Sequence, residues 1–143
     1  MTREAGTTRE AGATREPDTA SAAAATRIMA RCDELAEISA MPEGILRAYL
    51  TEEHRRHNAL AARWMAEAGL RVWQDAAGNQ CGRLEGARPG LPALIIGSHL
   101  DTVPDAGRYD GILGVLLGIE AARRLAPQSN ELPFALEIIA YAD

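Results

Sequence analysis

A single stretch decides the fold that we predict for this chain, and it reads ALIIGSHLDTVPDAGRYDGILGV over residues 93–115. Its first part, Ala93–Ile96, is a short unbroken apolar run, which is typical of a central strand covered on both faces. A helix is predicted from Gly111 to about Ala126, where Pro127 ends it, and a second apolar strand from Leu132 to Tyr141. Strand, loop, helix and strand in this order predict an α/β layered domain with a parallel pair of strands at its centre.

Two helices and a hairpin are predicted before this stretch. Apolar residues recur at helical spacing between about residues 20 and 39. Thr51 is suited to cap a second helix, and Gly69 fits the left-handed position that follows a helix end. Two short strands, residues 71–74 and 80–84, then flank a loop that contains glycine, which is the pattern of a β-hairpin.

The bulk composition excludes several classes of function. The net charge is -5 and the sequence pI is about 5.2, so no basic surface argues for nucleic acid or an anionic membrane. No apolar run approaches the ~20 residues that span a bilayer, and no signal peptide is apparent. We therefore expect a cytoplasmic protein without nucleic-acid or membrane partners, in which Cys32 and Cys81 stay reduced.

The first residues of the chain differ in character from the rest. The unit TREAG occurs at residues 2–6 and 8–12, and TREP follows at residues 14–17. Such small, charged, glycine-interrupted units bury too little apolar surface to offset chain entropy. We expect residues 1–19 to be a disordered leader and residues 20–143 to form one domain.

His99 and Asp101 are the first candidate functional pair. Side chains two residues apart in extended backbone point the same way, so Asp101 can accept a hydrogen bond from one ring nitrogen of His99. That bond would fix the tautomer of the imidazole and aim its other nitrogen at a metal ion. The position also suits a ligand site, because open α/β sheets bind ligands beyond the carboxyl ends of their strands. A polar loop with an ordinary histidine is the alternative interpretation.

Asp110 is the second candidate, and its position allows two interpretations. It directly precedes the predicted helix, so it could simply be an N-cap. The loop of residues 105–109 could instead fold Asp110 back towards His99, where a carboxylate can bridge two cations. Spacing alone leaves both open.

Other features of the sequence have structural explanations. Gly111, Gly114 and Gly118 leave one helix face almost bare, which favours close packing on the sheet over a dinucleotide site, since no Gly-x-Gly follows a strand. His54 and His57 could share a face of the second helix. Without an acidic or cysteine partner at ligand spacing, we expect them to be solvated or half-buried.

Several segments together resemble the M20 family of metal-dependent amidohydrolases and peptidases. They are GSHLDTVP at residues 97–104, GRYDGILGV at 107–115, and DAAGN at 75–79, the last of which looks like the hydantoinase/carbamoylase branch. Residues 46–55, which lead to residues 64–70, are most similar to the allantoate amidohydrolase members of that branch.

The resemblance implies a site with two divalent metal ions, which zinc, manganese, cobalt or nickel could fill. His99 would ligate one ion, Asp110 would bridge both, and Asp101 would support the cluster as a catalytic residue. The resemblance also implies that the Asp110–Gly111 peptide is strained.

The fold that the resemblance implies is an α/β/α layered, phosphorylase/hydrolase-like catalytic domain with an inserted lid domain that mediates dimerisation. The strand at residues 138–143 looks like the one that leads into the family's paired glutamates, which would follow Asp143. We therefore expect the chain to be the N-terminal part of the catalytic domain, without the lid and inactive alone.

The function that follows is hydrolysis of linear ureido C–N bonds by an allantoate amidohydrolase-like homodimer. An N-carbamoyl-L-amino-acid hydrolase or ureidopropionase is the alternative within the branch. A non-catalytic gene fragment is the alternative outside it.

Overall fold

The computed structural model describes residues 19–143. Their elements follow in the order α1 (Thr19–Ala36), α2 (Glu52–Glu67), β1 (Arg71–Gln74), β2 (Gln80–Leu84), β3 (Ala93–His99), α3 (Ile112–Leu125), a 3₁₀ helix (Ala126–Glu131) and β4 (Ala135–Tyr141). The leader predicted for residues 1–19 lies outside the described residues, apart from Thr19, which begins α1.

The strands form one mixed sheet in the order β1-β2-β4-β3. The hairpin prediction is confirmed, since β1 and β2 are antiparallel and Gln74 lies opposite Gln80. The predicted parallel pair is confirmed as well, because β3 and β4 are hydrogen-bonded neighbours that run in the same direction. Helix α3 lies between them in the sequence. The α/β class expected from the sequence is therefore correct.

The position predicted for the strand at residues 93–96 is wrong within the described sheet. β3 is an edge strand there, and the side chains of Leu94 and Ile95 are 52% and 54% exposed. The hairpin pairs with β4 rather than with β3, so β4 takes the central place. β3 is also longer than expected, because its ladder with β4 continues to His99 opposite Tyr141. His99 is thus the last residue of a strand and not a loop residue.

Helices α2 and α3 pack against one face of the sheet, and α1 packs on α3. Gly82 on β2 meets α2 and the adjoining turn, since a Cβ there would lie 3.0 Å from Met65 Sδ. Gly118 on α3 approaches the side chain of Ile138, which lies directly opposite Gly82 on the neighbouring strand. Residues directly opposite each other point to the same face of a sheet, so α2 and α3 lie on the same face. A Cβ on Gly114 would lie 2.7 Å from the Ser98 side chain. The glycines of α3 therefore permit close packing on the sheet, as the sequence predicts.

The helix ends follow from local chemistry. Thr51 caps α2, because its hydroxyl accepts the main-chain N–H of His54 at 3.2 Å, and Gly69 follows the helix with φ +90°. The predicted end of α3 is confirmed to within a residue, since the α-helix ends at Leu125 and Pro127 belongs to the 3₁₀ helix that follows. Pro127 lies in the first turn of this 3₁₀ helix, where the missing N–H of proline costs no hydrogen bond.

The core joins these layers. Apolar side chains of α1, including Cys32 and Leu35, are fully buried with residues from α2, α3 and β4. Both Cys32 and Cys81 are free thiols, and burial raises the pKa of each. In residues 19–143 no helix has the length and apolar character needed to cross a bilayer.

Candidate metal centre

His99 and Asp101 meet at the carboxyl end of β3. The Nδ1 atom of His99 lies 3.0 Å from Asp101 Oδ1 and 3.1 Å from the Asp101 main-chain oxygen. A carboxylate and a carbonyl can only accept, so Nδ1 carries the ring proton and donates it. The predicted hydrogen bond is therefore present, and it leaves the Nε2 lone pair of His99 available as a ligand.

Gly111 brings the start of α3 against the His99 ring. It has φ 67° and ψ −49°, and the N–H of Ile112 donates to the Asp110 carbonyl at 2.7 Å, which forms a tight γ-turn. A Cβ on Gly111 would lie 2.5 Å from His99 O and 2.6 Å from Nδ1. Only glycine tolerates both this backbone conformation and this close approach. The unusual backbone expected after Asp110 is thus observed.

The N-cap interpretation of Asp110 is wrong. The N-cap of α3 is Gly111, and no side chain caps this helix. The Asp110 carboxylate is exposed, and within residues 19–143 it makes neither a hydrogen bond nor an ion pair. Ser98 Oγ donates to the Gly111 carbonyl at 2.8 Å, which holds this turn beside β3. Asp110 therefore presents a solvated carboxylate one residue from the contact with His99.

The loop between β3 and α3 is backed by the loop between α1 and α2. Thr102 N–H donates to the Arg47 carbonyl at 2.9 Å, and Arg47 N–H donates to Thr102 Oγ1 at 2.9 Å. Asp105 N–H donates to the Ile45 carbonyl at 2.8 Å. The segment that carries Asp101 is therefore held on its inner side by main-chain hydrogen bonds.

The donor set at this place fits part of a divalent-metal site. An imidazole nitrogen and a carboxylate are ligands that zinc and manganese both accept. Among the described residues, no group of three or more histidine, cysteine and acidic side chains is placed to hold one ion. His99 and Asp110 are two candidate ligands, one fewer than the three protein ligands usual at a catalytic zinc.

His54 and His57 differ from the prediction that they are solvated or half-buried. Both are buried, with 5% and 0% exposure, and His54 packs against Gly78 of the hairpin loop. Burial lowers the pKa of His57 to about 3, and the nearby His54 and Arg47 add to this effect. His57 is therefore a neutral interior residue at physiological pH.

Arg47 is a residue that the sequence analysis missed. Its side chain is fully buried, and its guanidinium donates to the main-chain carbonyls of Leu100, at the start of the site loop, and of Leu35 in α1. The available signal was a lone arginine that follows Ile45 and Leu46 in a short loop.

Known proteins resemble this chain over most of its length. It is 41% identical over 118 residues to an N-carbamoyl-L-amino acid amidohydrolase of Geobacillus stearothermophilus, which covers 82% of this chain and 29% of that protein. It is 40% identical over 117 residues to allantoate deiminase 2 of Glycine max, a match that covers 80% of this chain and 24% of that protein. No protein-family model matches the chain.

Solved structures agree with these relatives. A hydantoinase/carbamoylase family amidase from Burkholderia ambifaria superposes with a TM-score of 0.71 at 39% identity, over 80% of this chain and 28% of that one. The chain therefore spans 24–29% of the length of these three proteins.

The fold is that of part of the α/β catalytic domain of hydantoinase/carbamoylase family amidases. The chain belongs to the hydantoinase/carbamoylase branch of the M20 family.

Proposed function

We propose that this chain contributes the first metal ligands of an enzyme that hydrolyses linear ureido C–N bonds in small molecules, of the allantoate amidohydrolase type. The observation that carries the proposal is the contact of Gly111 with His99, because it brings the Asp110 turn to the imidazole that Asp101 orients. The names of the relatives support the reaction class, since they include allantoate deiminases and N-carbamoyl-L-amino acid amidohydrolases.

The roles of the residues follow from their chemistry. His99 would ligate a divalent metal ion through Nε2, while Asp101 accepts the Nδ1 proton and so keeps the ring in the tautomer that binds metal. Asp110 would bridge two ions through its two carboxylate oxygens. Zinc or manganese, with cobalt or nickel as further candidates, would supply Lewis acidity that polarises the ureido carbonyl and makes water a better nucleophile.

We further propose that the activity belongs to a longer polypeptide. Two protein ligands hold a metal ion weakly, and a positioned general base contributes a factor of ~10² to 10⁴ in rate. We infer that the remaining ligands, the base and a lid domain for dimerisation come from residues beyond this chain. The chain alone should therefore show no hydrolysis of allantoate with added Mn²⁺. Clear turnover by the purified chain, lost in His99→Ala, would contradict this.

An N-carbamoyl-L-amino-acid hydrolase is the second candidate. The relative with that name is 41% identical, against 40% for the allantoate deiminase, so sequence identity does not separate them. The deciding experiment measures ammonia release from allantoate and from N-carbamoyl-L-amino acids by the complete gene product. We expect allantoate to have the higher kcat/KM, and Asp110→Asn to abolish turnover. The opposite order of substrates would favour the second candidate, and full activity of Asp110→Asn would contradict both.

A further inference from the structure

Arg47 carries a positive charge in the interior, and no carboxylate of residues 19–143 forms an ion pair with it. Its side chain is 0% exposed, and Nε donates to the Leu100 carbonyl at 3.0 Å. Nη1 donates to the carbonyls of Leu35 at 3.0 Å and Ile38 at 3.3 Å, next to the end of α1. Nη2 is buried and has no hydrogen-bond partner among the described residues. One guanidinium therefore joins the end of α1 to the peptide between His99 and Asp101.

Stability alone is a poor explanation for this arrangement. Burial of a charge is costly unless the charge is paired, and well-packed apolar residues often stabilise a core as well as or better than buried ions. Burial lowers the pKa of Arg47, and the negative charge of Asp101 opposes that shift. The charge of Asp101 thus favours the charged form of Arg47, while the Leu100 carbonyl beside Asp101 accepts a hydrogen bond from it.

The position of the Leu100 carbonyl decides where both site side chains point. Leu100 lies between His99 and Asp101, so rotation of its peptide would separate the imidazole from the carboxylate. The His99 bond is also divided between Asp101 Oδ1 and the Asp101 main-chain oxygen, which makes it sensitive to the backbone here. Hydrogen bonds between Arg47 and Thr102 fix the next residue of the same loop.

We infer that Arg47 is a positioning residue, which holds the Leu100 carbonyl so that Asp101 keeps the proton of His99 on Nδ1. This role rests on the proposed function, because it matters only if Nε2 of His99 is a ligand. Arg47 touches neither substrate nor metal in this account. It acts through the backbone of the β3–α3 loop.

Arg31 provides a matched control. It is also a buried arginine, with 8% exposure, but it pairs with Glu67 and stacks over Trp64 away from the site. Substitution of either arginine removes a buried guanidinium. Only substitution of Arg47 should alter the His99 ring.

The test measures the ¹⁵N shifts of the His99 ring in the metal-free chain, in which the two tautomers are distinguished. We expect protonation on Nδ1 in the unmodified chain and in Arg31→Met, and a shift towards mixed tautomers in Arg47→Met and Arg47→Lys. Wild-type ring shifts in a folded Arg47 variant would overturn the inference. If neither Arg47 variant folds, the scalar coupling across the hydrogen bond from Arg47 Nε to the Leu100 carbonyl decides in the unmodified chain, because its absence would overturn the inference.

A Zn²⁺ titration of the same samples separates this inference from the proposed function. We expect the dissociation constant to rise about 10-fold or more in Arg47→Lys, as is typical when a residue behind a metal ligand is changed. If His99→Ala does not weaken Zn²⁺ binding to the chain but the ring shifts respond to Arg47, the positioning role stands and the metal proposal fails. If zinc binds equally well to Arg47→Lys and the ring is unchanged, the positioning role fails alone.

Discussion

Gly111 is the residue on which the geometry of the site depends most. A methyl group there would lie within 2.6 Å of the His99 ring while the backbone stays at φ +67°. Gly107 is a matched position, since it has φ +84° but nothing within 4 Å of an added Cβ. Comparison of the two glycines therefore removes the cost of a positive φ that both share, and leaves the cost of the γ-turn and of the contact with His99.

Gly111→Ala should destabilise the chain more than Gly107→Ala. A positive φ costs an alanine about 1–2 kcal/mol at either position, and at Gly111 the γ-turn adds strain and overpacking adds about 1–3 kcal/mol. Urea unfolding of both variants measures the difference. Equal free energies of unfolding would show that the helix start does not press against His99.

His57 should make the chain less stable in acid. Its pKa is lowered from 6.5 to about 3 in the folded state, so below about pH 6.5 the unfolded chain binds a proton that the folded chain does not. The contribution of His57 to stability is thus complete above pH 6.5 and is lost as the pH falls towards 3. The slope reaches up to about 1.4 kcal/mol per pH unit.

Urea denaturation at a series of pH values checks this prediction. His57→Leu keeps a buried side chain without a titrating group, so its free energy of unfolding should fall less steeply between pH 6.5 and about 3. Identical slopes for the two proteins would mean that His57 titrates normally in the folded state.

At the scale of elements, the contact between β3 and α3 sets the site, and Gly114 tests it. Gly114→Ala should gain up to about 1 kcal/mol of helix propensity but lose about 1–3 kcal/mol through the clash with Ser98, whose side chain lies 2.7 Å from an added Cβ. Adding Ser98→Gly should recover part of that loss, because it removes the clashing atoms. Additive effects in a thermal-denaturation double-mutant cycle would contradict the contact.

The elements also show what the sequence could and could not predict. Hydrophobic periodicity and the start and stop signals at Thr51 and Gly69 predicted the bounds of α2 closely, because both signals are local. The place of β3 at the edge of the described sheet depends on which strand the distant hairpin joins, and no local pattern contains that information. His99–Asp101 pairing followed from their spacing. The role of Arg47 did not, since it depends on contacts with Leu35 and Leu100, far apart in sequence.

At the scale of the whole molecule, no helix of the described residues covers the second face of the sheet. We define the outer sheet face as Ile95, Gly97, Ile139 and Tyr141, which point away from α2 and α3. Ile95 is 54% exposed and Tyr141 42% exposed, and the adjoining edge of β3 is unpaired. Exposed apolar sheet faces and free edges promote association.

We therefore expect the chain to self-associate with rising concentration, as measured by sedimentation velocity. Ile95→Lys should reduce this association, because it places a charge on the outer sheet face. Leu117→Lys on α3 is the control, since Leu117 has a similar exposure of 52% on the opposite side. A monomer at all concentrations, or an equal effect of both variants, would contradict the prediction.

The central claim is that His99 and Asp110 hold the same metal ion, and a Mn²⁺ titration of the ¹⁵N-labelled chain tests it most directly. We expect selective paramagnetic broadening at residues 99–101 and 110–112, weakened strongly by either His99→Ala or Asp110→Asn and unaffected by Asp105→Asn in the same loop. Broadening that survives Asp110→Asn, or that Asp105→Asn weakens equally, would contradict the shared site.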